Sequence, residues 1–153
     1  RHPRALPAAG GGRFVNREEC QRLAEDRVLD ADALIAAGRW SAAYYLLGYA
    51  LECALKSCIL ALVTRTGVIF ENKKFIEECW THEPTKLLKS AGLDQELGLA
   101  IQANIRLAEN WQIAKDWTEI ARYRQTDRVA AERIYQAIAD PVDGVLPWLK
   151  ARW

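Results

Sequence analysis

The chain has 153 residues, with 21 Lys and Arg set against 20 Asp and Glu for a formal net charge of +1, and half of it is apolar. A chain of that length holds one domain and buries about two-thirds of its unfolded surface, so a core forms without help from metals or disulfides. The near-neutral balance excludes a protein that coats polyanions non-specifically and leaves room for a local basic patch.

The stretch Arg1 to Arg13 is basic and rich in Gly, Pro and Ala. It lacks the apolar run of a secretory signal and is expected to be a flexible tail, 1–15, ahead of a single domain, 16–153. Asn16 followed by Glu19 is a capping-box pattern that opens a helix. Leu23, Val28, Leu29, Ala33, Leu34 and Ala37 repeat along it at near-helical spacing, and Gly38 ends it. A second helix starts near Trp40 or Ser41 and ends before Gly67. Val68 to Trp80 is mixed in character and is expected to be a long loop. A short helix, Pro84 to Ser90, has Thr81 as its candidate cap, Pro84 in its first turn and Gly92 closing it. The pattern predicts further helices over about Asp94–Glu109 and Asp127–Ala139, the latter stopped by Asp140-Pro141, and a short terminal one within Val145–Trp153. No repeat and no strand alternation interrupts this series. Short connections between amphipathic helices predict an all-α fold, an up-and-down antiparallel bundle of four to five main helices plus short ones.

The cysteines, Cys20, Cys53, Cys58 and Cys79, form no CxxC pair, and the histidines are His2 and His82. A zinc site needs clustered ligands, so no metal and no other cofactor is expected. Dispersed cysteines of this kind read as small core residues in a reducing, cytoplasmic setting. The longest apolar run, Ser41 to Val63, is interrupted by Glu52 and Lys56, which argues against a membrane span. The chain contains no methionine, and spacings are read as they stand.

The second helix carries the most information. Tyr44, Leu47, Leu51, Leu55, Cys58 and Leu62 form one apolar face, while Leu46, Cys53 and Leu60 cover much of the other, so neighbours should enclose it. Gly48, costly inside a helix, predicts a close backbone approach. Tyr45, Tyr49, Glu52 and Lys56 fall within about 60° of one another at helical periodicity and make a polar stripe. Either Glu52 and Lys56 are an i,i+4 pair on a solvent-facing strip, or they are an enclosed pair on a cleft floor or partner surface.

The run Ala42-Ala43-Tyr44-Tyr45-Leu46-Leu47-Gly48-Tyr49-Ala50-Leu51-Glu52-Cys53-Ala54-Leu55-Lys56 resembles the signature of the HEPN (higher eukaryotes and prokaryotes nucleotide-binding) family. Agreeing with it are Asp32 to Trp40 before it and His82 with Leu87, Leu88, Ala91, Gly92 and Leu93 after it. Asn110-Trp111, Lys115-Asp116-Trp117 and Arg122-Tyr123 then follow in the expected order. The resemblance implies an antiparallel helical bundle, usually a homodimer, often bacterial and often encoded beside a nucleotidyltransferase. Many members are ribonucleases of toxin–antitoxin or defence systems. Their motif is an arginine followed after four to six residues by a histidine, with the site completed across the dimer. Here Arg122 is followed by Tyr123, Arg124, Gln125, Thr126, Asp127, Arg128 and Val129, without that histidine. Metal-free RNA cleavage needs a general base and a general acid, a task that suits histidine at neutral pH. Arg122 can still bind phosphate.

The candidate catalytic residues are therefore Arg122, Tyr123 and His82. The candidate ligand-binding residues are Tyr45, Tyr49, Glu52, Lys56, Trp111, Lys115, Asp116, Trp117 and Arg124. Arginines among aromatics, as in the stretch from Trp111 to Arg128, suit stacked bases and bound phosphates. The same tryptophans could instead anchor an irregular connection to the core, and His82 could simply fix its loop. Trp148 and Trp153 read as packing or dimer contacts. Three functions follow: a nucleotide- or RNA-binding module working beside a nucleotidyltransferase, a metal-independent ribonuclease toxin with an unconventional site, or a structural homodimer without ligand.

Overall fold

In the computed structural model, which describes residues 16–67 and 73–153, the first helix, α1 (Arg17–Ala36), begins at the expected capping box. The Asn16 side chain accepts from the Glu19 N–H at 2.9 Å, and the Glu19 carboxylate accepts from the Asn16 N–H at 3.0 Å, satisfying two N–H groups that the helix itself leaves free. Gly38, at φ +73°, lets the chain reverse into α2 (Trp40–Thr66), which ends at Gly67, φ +68°. The buried residues of α1 are small, Cys20, Ala24 and Ala31, which allows its axis to lie close against α2. The expected tail, 1–15, lies outside the described residues, as do 68–72 of the expected loop.

Within that expected loop the chain forms a helix, α3 (Lys73–Cys79), a correction to the sequence reading. Seven residues are too few to display a period, so the pattern had nothing to register. Next comes α4 (Pro84–Ser90). Thr81 is not its cap: Glu83 occupies that position without a side-chain bond, and the Thr81 hydroxyl accepts from the Glu83 N–H at 3.2 Å. Glu52 of α2 meets His82 just before α4, and a Cβ on Gly92 just after it would lie 3.5 Å from Leu62. The offset of 30 residues is the same at both ends, so α4 runs along α2 in the same direction.

The expected helix over Asp94–Glu109 is two helices, α5 (Asp94–Ala103) and α6 (Ile105–Lys115). Asn104 breaks it by taking extended backbone, φ −138° and ψ 101°. Its side-chain oxygen Oδ1 caps α6 by accepting from the N–H groups of Arg106 and Leu107, and its side-chain amide donates to Asp143 at 2.8 Å. Asn competes well with helical backbone when such partners exist. A 3₁₀ helix (Glu119–Tyr123) follows and leads to α7 (Arg128–Ala139), capped by Asp127. After a turn at Asp140–Gly144 comes α8 (Val145–Lys150), shorter than the span to Trp153.

The fold is an all-α helical bundle, with no strand among the described residues. Its centre is α2, which buries Leu47, Leu51, Leu55, Cys58 and Ile59 against α1, α4, α7 and α8. By length and composition α2 would suit a membrane span, yet most of that apolar window is packed inside the bundle. Burial pushes the Cys53 and Cys58 thiols up to about 12, which keeps both protonated and unreactive at neutral pH. Arg17 donates to the Trp153 carbonyl, and Cys58 Sγ lies 3.7 Å from the Leu149 carbonyl, so the C-terminal segment is tied to α1 and α2.

Candidate functional site

The polar stripe of α2 is enclosed at Glu52 and half-buried at Tyr45, Tyr49 and Lys56. Glu52 is 4% exposed, in the middle of the long, mainly apolar α2. Lys56, one turn on, brings Nζ to 2.7 Å from Glu52 Oε1. His82, on the link between α3 and α4, places Nδ1 3.0 Å from both carboxylate oxygens of Glu52. Its other nitrogen, Nε2, lies 3.3 Å from Glu119 Oε2 on the 3₁₀ helix. The result is a string of polar side chains, Lys56–Glu52–His82–Glu119, whose exposure rises from 5% at Glu52 to 45% at His82 and 50% at Glu119. It runs from the core to the surface. A buried carboxylate this well provided with donors fixes what it binds, here the ring orientation of His82.

Two small residues and one large one hold the 3₁₀ helix in place. Trp117 is buried flat against Gly48 of α2, so close that a Cβ there would meet its indole at 1.9 Å. The Tyr45 ring packs 6.1 Å from the same indole at 37°. Ala121 is buried too. With positions 117 and 121 turned inward, Glu119, Arg122, Tyr123 and Arg124 point outward. The Ser41 hydroxyl oxygen accepts from the Thr126 N–H at 2.8 Å, which closes the far end of the segment over the start of α2.

Between this segment and the start of α2 lies an open groove of ≈ 700 Å³. Its charged lining consists of Arg39, Arg122 and Arg124, and its aromatic lining of Trp40, Tyr45 and Tyr123; no carboxylate lines it among the described residues. The Arg122 guanidinium lies 4.8 Å from the centre of the Tyr123 ring, and Arg128 reaches 5.8 Å from that of Trp40. Three arginines in one groove of a chain whose net charge is +1 leave the remainder of the chain acidic on balance. A smaller groove of ≈ 310 Å³ opens on the other side of residues 124–126, lined by Tyr44, Asp116, Thr118 and Arg124 among others. Burial first, then Asp116, raises the Tyr44 phenol above its ordinary range, while Arg124 opposes them; the hydroxyl stays a proton donor at neutral pH.

Of the residues singled out from sequence, the structure brings Tyr45, Arg122, Tyr123 and Arg124 together in the large groove. Glu52, Lys56 and His82 form the string behind it. Asp116 belongs to the smaller groove. Trp111 and Trp117 are corrections: at 7% and 2% exposure they are core residues with no face left for a base to stack on. Tyr49 is half-buried beside Cys53, with burial raising its phenol, and Lys115 is half-buried in the last turn of α6; neither lines the two grooves. Sequence reading missed Arg39, Trp40 and Glu119. The first two were visible as a basic–aromatic pair between the Gly38 turn and Ser41, but nothing in the pattern set them opposite Arg122. No set of three or more metal-binding side chains is found among the described residues.

No family model, curated protein or solved structure matches this chain.

Proposed function

We propose that this chain is a HEPN-like binding module that takes a nucleotide, or a short stretch of single-stranded RNA, in the arginine-lined groove. The observation that carries the reading is the grouping of Arg39, Arg122 and Arg124 with Trp40, Tyr45 and Tyr123 around one carboxylate-free groove. Guanidinium groups recognise phosphate through paired N–H donors, and aromatic faces accept a base without regard to its identity. Tyr123 is 77% exposed with the Arg122 guanidinium over its ring, so an aromatic face and a cation are offered to solvent side by side.

Titration of adenosine 5′-monophosphate and of a fluorescein-labelled RNA octamer into the purified chain tests this. Binding should weaken as salt rises, since each phosphate contact releases counterions. Arg122→Ala and Arg124→Ala should each lower affinity about three- to tenfold, the weight of a charge-assisted hydrogen bond partly open to water. Melting temperature should hold, because both side chains are exposed. Failure of both probes to bind at low salt would sink the reading.

One observation favours a second reading, that the module also cleaves RNA. Glu52 holds His82 by Nδ1, which leaves Nε2 facing outward beside the turn that carries Arg122. That is the arrangement of an imidazole prepared to move a proton. Cleavage of total RNA that survives chelator and is lost in His82→Ala would establish it. Binding without cleavage leaves the first reading alone.

A further inference from the structure

We infer that His82 Nε2 is an anion site in its own right, built to take a phosphate oxygen of a ligand lying in the arginine groove, and that the Glu119 carboxylate occupies this site in the free protein. The inference rests on the groove being a phosphate-binding site, as proposed above.

The His82 ring has one side committed. Nδ1 lies 3.0 Å from both oxygens of Glu52, a buried carboxylate that Lys56 also contacts at 2.7 Å. That clamp fixes the direction of Nε2. Carboxylate oxygens only accept hydrogen bonds, so an imidazole with a carboxylate on each side is satisfied when both nitrogens donate. The charged groups that face the ring are Glu52, Lys56 through Glu52, and Glu119; the nearby Glu83 is drawn away by Lys86 at 2.9 Å. With both nitrogens protonated, Nε2 is a donor aimed at an oxyanion.

The oxyanion there now is a loose fit. The contact to Glu119 is 3.3 Å, against about 2.7–2.9 Å for a well-made bond between charged partners. Glu119 is half-exposed, and His82 is the one partner of its carboxylate among the described residues. An exposed pair of this kind contributes little and exchanges readily with a competing anion. The 3₁₀ register supplies the reason a ligand would compete. Side chains three apart on such a helix eclipse one another, about 6 Å apart along its axis. Glu119 and Arg122 are three apart, so the residue that His82 contacts and an arginine of the groove leave the same side of the 3₁₀ helix one turn apart. A phosphate bound by Arg122 can displace the carboxylate and reach Nε2 with one oxygen. Glu119 is thus a stand-in for the ligand's charge.

The test uses Glu119→Gln, which removes the competing charge and keeps the side-chain shape, with Glu119→Ala as a second variant. Inorganic phosphate and adenosine 5′-monophosphate are titrated into wild type, both variants and Glu119→Gln/His82→Asn. Affinity is read by calorimetry and the His82 ring by its imidazole C–H proton resonances. The chain has only His2 and His82, and His82→Asn assigns the signal by its loss. The inference expects both Glu119 variants to bind the probes about three- to fivefold tighter than wild type, with a shift of the His82 resonance that tracks binding, and the gain to vanish in the double variant. Were Glu119 a brace that merely positions Arg122, its removal would weaken binding. Unchanged or weaker binding by folded Glu119→Gln and Glu119→Ala overturns the inference and leaves the groove reading intact. Absence of binding by wild type and variants alike overturns both.

Discussion

Gly48→Ala should lower the melting temperature by roughly 10 °C. On an open helix surface the same change would stabilise by up to about 1 kcal/mol, because alanine loses less backbone freedom than glycine. Here the added carbon would lie 1.9 to 2.1 Å from three atoms of the Trp117 indole ring system. Neither side can give way: Gly48 is in mid-helix, and Trp117 is 2% exposed and shut in by the core. Overpacking of this severity costs about 3 kcal/mol or more, which exceeds the propensity gain and reverses the sign. At about 3 °C per kcal/mol for a chain of this size, the shift is large enough for any thermal melt to resolve. Trp117→Leu provides the control. With the indole removed, Gly48→Ala should become neutral or mildly stabilising, a coupling that a double-mutant cycle reads directly. A higher melting temperature for Gly48→Ala alone would mean that the helix and the indole do not meet as described.

Glu52→Gln should cost about 2 kcal/mol. Removing one member of a buried ion pair leaves the other uncompensated, at about 3–5 kcal/mol where both are fully enclosed. Lys56 keeps 27% of its side chain in water and His82 keeps 45%, so each recovers some solvation and the loss is smaller. Lys56→Met should cost less than Glu52→Gln, because Glu52 retains His82 as a donor. An exposed i,i+4 pair would contribute only about 0.3–0.5 kcal/mol. Urea unfolding separates the two cases, and a midpoint for Glu52→Gln within error of wild type would place the stripe at the surface.

Much of the fold could be read from local signals because local chemistry sets it. Asn16 and Glu19 cap each other, glycines at 38 and 67 supply the left-handed turns that end α1 and α2, and Asp127 caps α7. Gly48 announced a close approach without saying to what. The breaks that escaped notice depend on distant partners: Asn104 leaves the helix because Asp143 is there to receive its amide. The site was harder for the same reason. Periodicity showed that Tyr45, Tyr49, Glu52 and Lys56 share a face, but what covers a face is decided elsewhere in the chain. His82 covers Glu52 from 30 residues further on and Trp117 packs on Tyr45 from 72 residues further on, and only the folded chain brings them near. Trp111 and Trp117 show the converse. A tryptophan beside a basic residue looks the same on paper whether its ring is offered to a ligand or sealed inside.

The hydrogen bond from the Thr126 N–H to Ser41 spans 85 positions of sequence, whereas the turn joining α1 to α2 spans three. This difference sets an order in time. The paired helices α1 and α2 close over a short loop and can form while the rest of the chain is still being made; the groove has only one wall until residue 126 has arrived. Assembly of the site is therefore the late event, and its opposite wall is the part that can lift away first while the central pair stays folded. A ribosome-bound chain cut short of Thr126 would carry α1 and α2 with the groove still open along its second side.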